Sequence, residues 1–272
     1  MMDITELEKK AGWVRAQVLD MVGGMGGAHI APSLSCTELL VSLYHGGMLR
    51  VAPDSLNPDE RDRFILSKGH GCLGLYVVLA DMGFLSFDEL GSFCQDGSRL
   101  GAHPDLGVPG IDVSTGSLGH GLSIGAGMAL AARMDDKDYI TFVLMSDGEC
   151  QEGSIWEAAM FASHHRLDNL VAIIDRNKLQ ATAPTEQVVG LESLPQKWES
   201  FGWEVRSVDG HSIKDILLTM GDIRSRQSEK PLAVIARTTK GKGISFMENN
   251  PIWHYRVPQG DEMEQARQET RI

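Results

Sequence analysis

The sequence predicts an α/β fold, with a mostly parallel sheet that helices cover on both faces. Two apolar runs support this prediction: YITFVLM at residues 139–145 and NLVAII at residues 169–174. Continuous apolar runs of this length are typical of strands that are buried on both faces. Segments with helical spacing lie between the strand candidates, and this alternation at crossover spacing is typical of a parallel sheet.

Each predicted element rests on a local pattern. Ser35 with Glu38, and Ser86 with Glu89, form capping-box patterns that predict two helix starts. Residues 94–115 are rich in Gly, Pro and Asp, and they predict a long ordered loop. The predicted helices are 5–22, 37–45, 73–83, 116–134, 152–165, 192–200 and 212–226, and the predicted strands are 63–67, 139–146, 169–175, 203–208 and 232–237.

Bulk properties narrow the range of partners. The chain has 272 residues, of which 42% are hydrophobic, and this suffices for one large domain or two small ones. The net charge of −12 argues against nucleic acid or an anionic membrane as the main partner. We expect one domain over residues 1–258, followed by a polar tail over 259–272 that wraps the surface or a partner.

The cysteines and the N-terminus predict a cytoplasmic protein. The four cysteines are scattered, and none forms a C-x-x-C pair, so we expect reduced packing residues. The first residues are charged and amphipathic, unlike a secretory signal peptide. We find no apolar run as long as a membrane span.

The ends of the two apolar runs carry polar groups suited to a cation and a phosphate. Asp147-Gly148 follows the first run, and Asn177 follows the second. Parallel strands place such residues together at the carboxyl edge of the sheet. Carboxylate and amide oxygens suit Mg²⁺ or Ca²⁺, and a glycine before a helix lets the backbone approach a phosphate. The alternative is an ordinary Asp-Gly turn with an unrelated asparagine.

The nine histidines fall into two groups. Three lie on probable helices and are predicted to be structural or to lie at the surface: His45, His164 and His165. His211 is grouped with them as a predicted turn and helix-cap residue before the helix 212–226. Five others stand in loops, mostly beside glycine, where close approach to a polar ligand is favoured: His29, His70, His103, His120 and His254. Neutral imidazoles suit hydrogen bonding to phosphate or alkoxide oxygens and proton transfer; a metal site built from histidines is the alternative.

With these residues placed, the chain resembles the N-terminal, diphosphate-binding half of a transketolase. In particular, it is similar to the free-standing N-terminal subunit of split bacterial transketolases. The blocks that carry the resemblance are LSKGHG (66–71), GAHPD (101–105), TGSLGHGLSIGAG (115–127), SDGECQEGSIWEA (146–158) and DRNKLQ (175–180). The resemblance implies a fold that binds thiamine diphosphate and a divalent cation.

The resemblance also implies roles for individual residues. The metal, Mg²⁺ or Ca²⁺, would be held by Asp147, the Asn177 side chain and the Leu179 carbonyl oxygen. The implied cofactor-binding residues are His70, Gly116, Leu118, Gly148, Glu149, Asn177 and His254. The implied catalytic residues, which face the sugar hydroxyls and the reacting oxygens, are His29, His70, His103 and His254. Glu152 and Glu157 would lie at a subunit interface between two active sites, as a proton relay.

In the family, the carboxylate that activates the pyrimidine ring comes from a second, C-terminal domain. We find no room for that domain in 272 residues, so we expect this chain to be inactive alone. The expected partner is a C-terminal transketolase subunit with the pyrimidine-binding domain, most simply in an α2β2 assembly. The pair would transfer a two-carbon ketol unit from a ketose or its phosphate to an aldose or its phosphate.

Four other functions stay open at this point. The chain could be the α subunit of a 2-oxo-acid dehydrogenase E1 component, although the SKGHG, AHPD and SLGHG blocks argue against it. It could also be a specialised transketolase-like acyltransferase, or a catalytically incomplete scaffold or regulatory relative. A nicotinamide enzyme is disfavoured because no G-x-G-x-x-G follows a first strand.

Overall fold

The computed structural model describes residues 2–53 and 60–271, and its core is a five-stranded sheet. All four strand pairings are parallel, and the strands lie in the order β1-β2-β3-β5-β4. The predicted parallel sheet is therefore confirmed. The strands are β1 (Arg63–Leu66), β2 (Thr141–Ser146), β3 (Leu170–Arg176), β4 (Glu204–Asp209) and β5 (Leu232–Arg237).

Helices connect the strands and cover both sides of the sheet. They are α1 (Ile4–Met21), α2 (Ile30–Ser35), α3 (Thr37–Tyr44), α4 (Cys72–Asp81), α5 (Phe87–Leu90), α6 (Gly121–Met134), α7 (Gly153–His164), α8 (Thr185–Val188), α9 (Leu194–Ser200), α10 (Ile213–Met220) and α11 (Asp261–Thr270). The 3-10 turns Gly69–Gly71, Gly148–Gln151 and Pro251–Tyr255 contribute residues to the cavity described below.

Alternating side chains of each strand enter two separate cores. Phe142 and Leu144 of β2 pack with α1 to α4 and α10, whereas Val143 and Met145 pack with α6, α7 and α9. Each central strand is thus buried on both faces, which explains why its sequence reads as a continuous apolar run. The predicted cover of helices on both faces is confirmed.

One of the two predicted capping boxes is wrong. Ser86 and Glu89 form theirs at the start of α5. Ser35 instead is the last residue of α2, and its hydroxyl donates to the Asp175 carboxylate at 2.5 Å. Glu38 accepts from Arg15 at 2.8 Å rather than from the helix start. Both side chains therefore form hydrogen bonds with buried partners distant in the sequence instead of capping the helix.

Two predicted helices are shorter than expected. The segment predicted as helix 116–134 becomes helical only at Gly121, because Gly116 and Gly119 adopt positive φ angles of 151° and 90°. Helix α10 ends at Met220 rather than near residue 226. Residues 94–115 contain no helix or strand, as predicted. Tyr76 holds this loop by donating to the carbonyl oxygens of Gly101 and His103.

The residues past 258 pack onto the domain. Helix α11 contacts α1, where Arg267 pairs with Asp20 at 3.1 Å and Ala266 is buried in the core. The expected tail is thus largely helical, and the boundary at residue 258 stays a prediction. Residues 1 and 272 lie outside the described part.

The described cysteines are free: three are buried, and Cys94 is exposed. Among the described residues, no helix has the length and apolar character needed to cross a membrane.

Candidate active site

The two halves of the Asp-Gly and Asn pattern meet at the carboxyl edge of the sheet. Strands β2 and β3 are neighbours, with Ser146 in register with Asp175. The Asp147 carboxylate accepts from the backbone N–H groups of Gly148 at 2.7 Å and of Lys178 at 2.6 Å. Asp147 therefore touches the chain one residue past Asn177. The predicted convergence of these two strand ends is confirmed.

The Asp147 carboxylate is fully buried, which makes its charge costly. Burial and the neighbouring Asp175 raise the pKa of Asp147, while Arg176, which donates to it at 2.9 Å, opposes the rise. A buried carboxylate next to a second one is an environment that a divalent cation would stabilise. Among the described residues, no group of three or more His, Cys, Asp or Glu side chains is arranged to hold a metal. A site here would instead combine one carboxylate with amide and carbonyl oxygens.

Four of the five loop histidines form one cluster. The ring of His29 lies at its centre, with centroids 5.5 Å from His70, 5.9 Å from His103 and 5.2 Å from His254. His120 is exposed at the start of α6, and it does not line the cavity described below. The described residues give no support to a histidine metal site.

The other histidines lie away from this cluster. His45 contacts Asp81 at 3.2 Å. His211 lies in the predicted turn, but Ser212 caps α10, so the cap assignment of His211 was wrong. Its ring joins Glu38 to the backbone N–H of Thr239, at 3.0 and 2.7 Å.

Three of the clustered imidazoles, those of His29, His70 and His254, are held in their neutral form. Burial, with His103 and Lys240 nearby, lowers the pKa of His29 to about 4. Burial and the charge of Lys240 lower the pKa of His254 to about 3, and burial and Lys68 lower that of His70. A neutral imidazole carries one donor and one acceptor, so it can bind an oxygen and exchange a proton with it.

These groups line one cavity of about 330 Å³. Of the predicted site residues, its walls contain His29, His70, His103, Gly116, Leu118, Gly148, Glu152, Asn177, Leu179 and His254. Glu157 is exposed on α7 and is not part of this wall. Close packing shapes the walls, since a Cβ at Gly116 would lie 3.2 Å from the His103 ring, and one at Gly148 would lie 3.1 Å from Gln180.

Glu149 lies behind the cavity wall, with no exposed surface. Its carboxylate accepts from the Ser67 hydroxyl, from Gly119 N–H at 2.9 Å and from Ser146 N–H at 3.2 Å. It therefore positions the loop that carries Leu118, and its side chain does not face the cavity. A direct contact between Glu149 and the cofactor stays a prediction, and this geometry does not favour it.

Sequence reasoning missed Lys240 as a site residue. Its ammonium group lines the cavity and donates to Gln180 O at 2.9 Å and to His254 Nδ1 at 2.7 Å. Nδ1 of His254 must then accept, so its Nε2 carries the proton. Burial and the neighbouring Lys68 lower the pKa of Lys240 to about 8. The available signal was the TKGKG block after β5, which lies at the same edge of the sheet.

The carboxyl edge of this parallel sheet gathers a buried carboxylate, glycine-lined walls, a lysine and four imidazoles. These features define a class of α/β domain that binds an anionic cofactor. Residues 7–271 match the family described as "Transketolase, thiamine diphosphate binding domain". The chain belongs to the transketolase family.

Named relatives and a solved structure agree with this assignment. The chain is 46% identical to a subunit of the apulose-4-phosphate transketolase of Phocaeicola vulgatus, over 97% of this chain and 94% of the relative. It is 40% identical to the 6-deoxy-6-sulfo-D-fructose transketolase subunit SqwG of Clostridium sp., over 92% and 90%. The crystal structure of Campylobacter jejuni transketolase superposes with a TM-score of 0.91 and 29% identity, over 99% of this chain.

The chain spans only 43% of the solved Campylobacter transketolase. The predicted family membership, the predicted fold and the thiamine diphosphate-binding domain are confirmed. The metal, the individual residue roles, the assembly and the cytoplasmic location stay predictions.

Proposed function

We propose that this chain is the diphosphate-binding subunit of a two-chain transketolase. With thiamine diphosphate and Mg²⁺, the pair would move a two-carbon ketol unit from a ketose or its phosphate to an aldose or its phosphate. The observation that carries this proposal is the meeting of the two strand ends, Asp147-Gly148 and Asn177-Leu179, with four imidazoles around one cavity.

The metal would be held by Asp147, the Asn177 side chain and the carbonyl oxygen of Leu179. Asn177 Oδ1 already lies 3.0 Å from Leu179 N, so the amide and this turn are close together. Asn177 and Leu179 line the cavity, and Asp147 lies directly behind them. All three donors are hard oxygens, which favour Mg²⁺ or Ca²⁺ over softer metals.

The diphosphate would bind between the Gly148 N–H, His70, His254 and Lys240. Lys240 supplies a buried positive charge, and its bond to His254 leaves the other ring nitrogen of that histidine to donate. Gly116 and Leu118 line the same cavity and would contact the ring end of the cofactor. When bound, thiamine diphosphate supplies the carbon nucleophile that carries the two-carbon unit between sugars.

His29 and His103 would bind the sugar hydroxyl and carbonyl oxygens. An imidazole ring can donate to an oxygen that gains negative charge, and in its neutral form it can accept a hydroxyl proton. The low pKa of His29 keeps it neutral across the physiological pH range. This chain would thus supply proton transfer and charge stabilisation around the reacting atoms.

The need for a partner is supported by the relatives, three of which are named as single subunits of a transketolase. We propose a partner that carries the pyrimidine-binding domain, in an α2β2 assembly in the cytoplasm. Glu152, which is exposed and lines the cavity, would lie at the subunit interface, and Glu157 would extend that interface along α7.

Substitution of Asp147 tests the metal assignment. We expect Asp147→Ala to lose Mg²⁺-dependent retention of thiamine diphosphate, measured by calorimetry with and without the partner chain. Asp209→Ala is the matched control, because Asp209 ends β4 at the same edge but is exposed. Cofactor retained by a folded Asp147→Ala variant would contradict the ligand assignment. No binding by the wild-type pair would contradict the proposed function.

A further inference from the structure

Tyr255 packs directly against the central histidine of the site. Its ring centroid lies 4.6 Å from that of His29, which is closer than any of the other three histidines. Tyr255 is 57% exposed, so its outer face is available to a ligand. None of the roles proposed above uses this side chain.

The Tyr255 ring is held in place by the backbone at Gly27 and by the turn that carries it. A Cβ at Gly27 would lie 2.7 Å from Cε1 of the ring, so the ring occupies the space that a side chain at 27 would take. The 3-10 turn Pro251–Tyr255 is anchored by Trp253, which is buried against Phe246 and stacks under Arg256. A ring fixed in this way acts as a wall.

Two spaces meet at this wall. A groove lined by Ala181, Thr182 and Ile252 reaches both Tyr255 and His254, and His254 also lines the main cavity. A small cavity of about 80 Å³ lies on the other side, beside His29 and Tyr255. A sugar that enters along the groove toward the imidazoles therefore passes the tyrosine ring.

We propose that Tyr255 is a specificity-determining residue that limits the size of the sugar at the carbons remote from its carbonyl. This inference rests on the proposed function and deepens it, because it assigns a selectivity to the same site. The fixed ring excludes long or branched aldoses by shape. Its removal joins the groove to the small cavity and opens room for them.

The test uses the complex of this chain with its partner, a fixed ketose donor, and unphosphorylated aldoses from glycolaldehyde to glucose. For Tyr255→Ala, we expect the ratio of kcat/KM for glucose over glycolaldehyde to rise about tenfold, the scale on which a pocket rejects an extra carbon by shape. Tyr255→Phe keeps the ring, so its ratio should stay within about twofold of wild type.

Two glycines provide a matched pair for the ring position. Gly27→Ala should change the ratio in the wild-type background, because the new methyl group displaces the ring, but not in the Tyr255→Ala background. Gly26→Ala should change nothing, since a Cβ there meets no atom within 4 Å.

Three results would overturn the inference. The first is an unchanged ratio in an active Tyr255→Ala complex. The second is an equal fall in kcat for every aldose, which would show that Tyr255 only positions His29. The third is the same Gly27→Ala effect in both backgrounds. A wild-type complex inactive on every aldose would instead refute the proposed function, and this inference with it.

Discussion

The buried ion pair between Lys68 and Asp175 gives the sharpest stability prediction. Both side chains have no exposed surface. Lys68 also donates to the carbonyl oxygen of Pro32 at 2.7 Å, and Asp175 also accepts from the hydroxyls of Ser35 and Thr238. Asp175→Asn preserves the shape of the side chain but leaves a buried ammonium group without its countercharge.

The expected cost follows from this burial. Removing one partner of a buried pair destabilises a protein by roughly 3–5 kcal/mol, because the remaining charge is desolvated and uncompensated. At about 2–4 °C per kcal/mol for a chain near this size, the melting temperature should fall by roughly 6–20 °C. Thermal unfolding followed by circular dichroism measures the change.

The matched control is an exposed pair. Arg166 and Glu229 lie 2.9 Å apart with 67% and 78% of their side chains exposed, so Glu229→Gln should cost less than about 1 kcal/mol. If Asp175→Asn is no more destabilising than Glu229→Gln, the reasoning from burial is wrong.

The pH dependence adds a second check on the same pair. Burial alone would raise the pKa of Asp175, but Lys68 and the two hydroxyl donors hold it below its usual value. A carboxylate whose pKa is lowered by folding stabilises the folded state at pH values above its pKa in the unfolded chain, about 3.9. This stabilisation is lost as the pH falls through the pKa of the folded state. The difference in melting temperature between wild type and Asp175→Asn should therefore become smaller below about pH 4.

Three further predictions concern the site and its supports. Gly121→Ala should cost about 1–3 kcal/mol in thermal unfolding, because its Cβ would lie 2.3 Å from the Ser67 hydroxyl. Gly127→Ala on the same helix meets no atom within 4 Å and should be neutral or slightly stabilising. Because the pKa of His29 is lowered to about 4 in the folded state, the free energy of unfolding should fall as the pH drops from about 6.5 toward 4. The melting temperature of His29→Gln should therefore depend less on pH over that range than that of wild type. Lys240→Met should weaken thiamine diphosphate binding by roughly 10–100-fold in calorimetry of the complex, and unchanged affinity would remove Lys240 from the diphosphate site.

The central strands and the position of the site could be predicted because their signals are local. The buried strands appear as apolar runs, and each is followed by a polar residue at the edge where β2 and β3 meet. The topology of a parallel sheet then places Asp147 near residue 178 without further information. The cluster around His29 was predicted only as a set of loop histidines, since loop paths carry no comparable periodicity.

The missed features depend on partners that are distant in the sequence. Ser35 lies in a capping-box pattern, yet its hydroxyl bonds to Asp175, 140 residues away. Lys240 could be identified as a site residue only from the structure, in which the turn that carries His254 contacts its side chain. A local sequence pattern can predict a helix cap. It cannot predict that the same side chain will instead form a buried hydrogen bond to an acceptor that the rest of the fold positions.

Arg176 ties the segment after β3 to the proposed metal ligand. One guanidinium group donates to Asp147 and Thr185, and also to Glu186 and Glu192. The Arg176 side chain therefore connects the Asp147 carboxylate to this segment, in addition to the direct hydrogen bond from Lys178 N–H. If a protein chain bound to that segment and changed the affinity of the site for the cation, the cation would change the affinity for that chain by the same factor, since coupling between two sites is reciprocal.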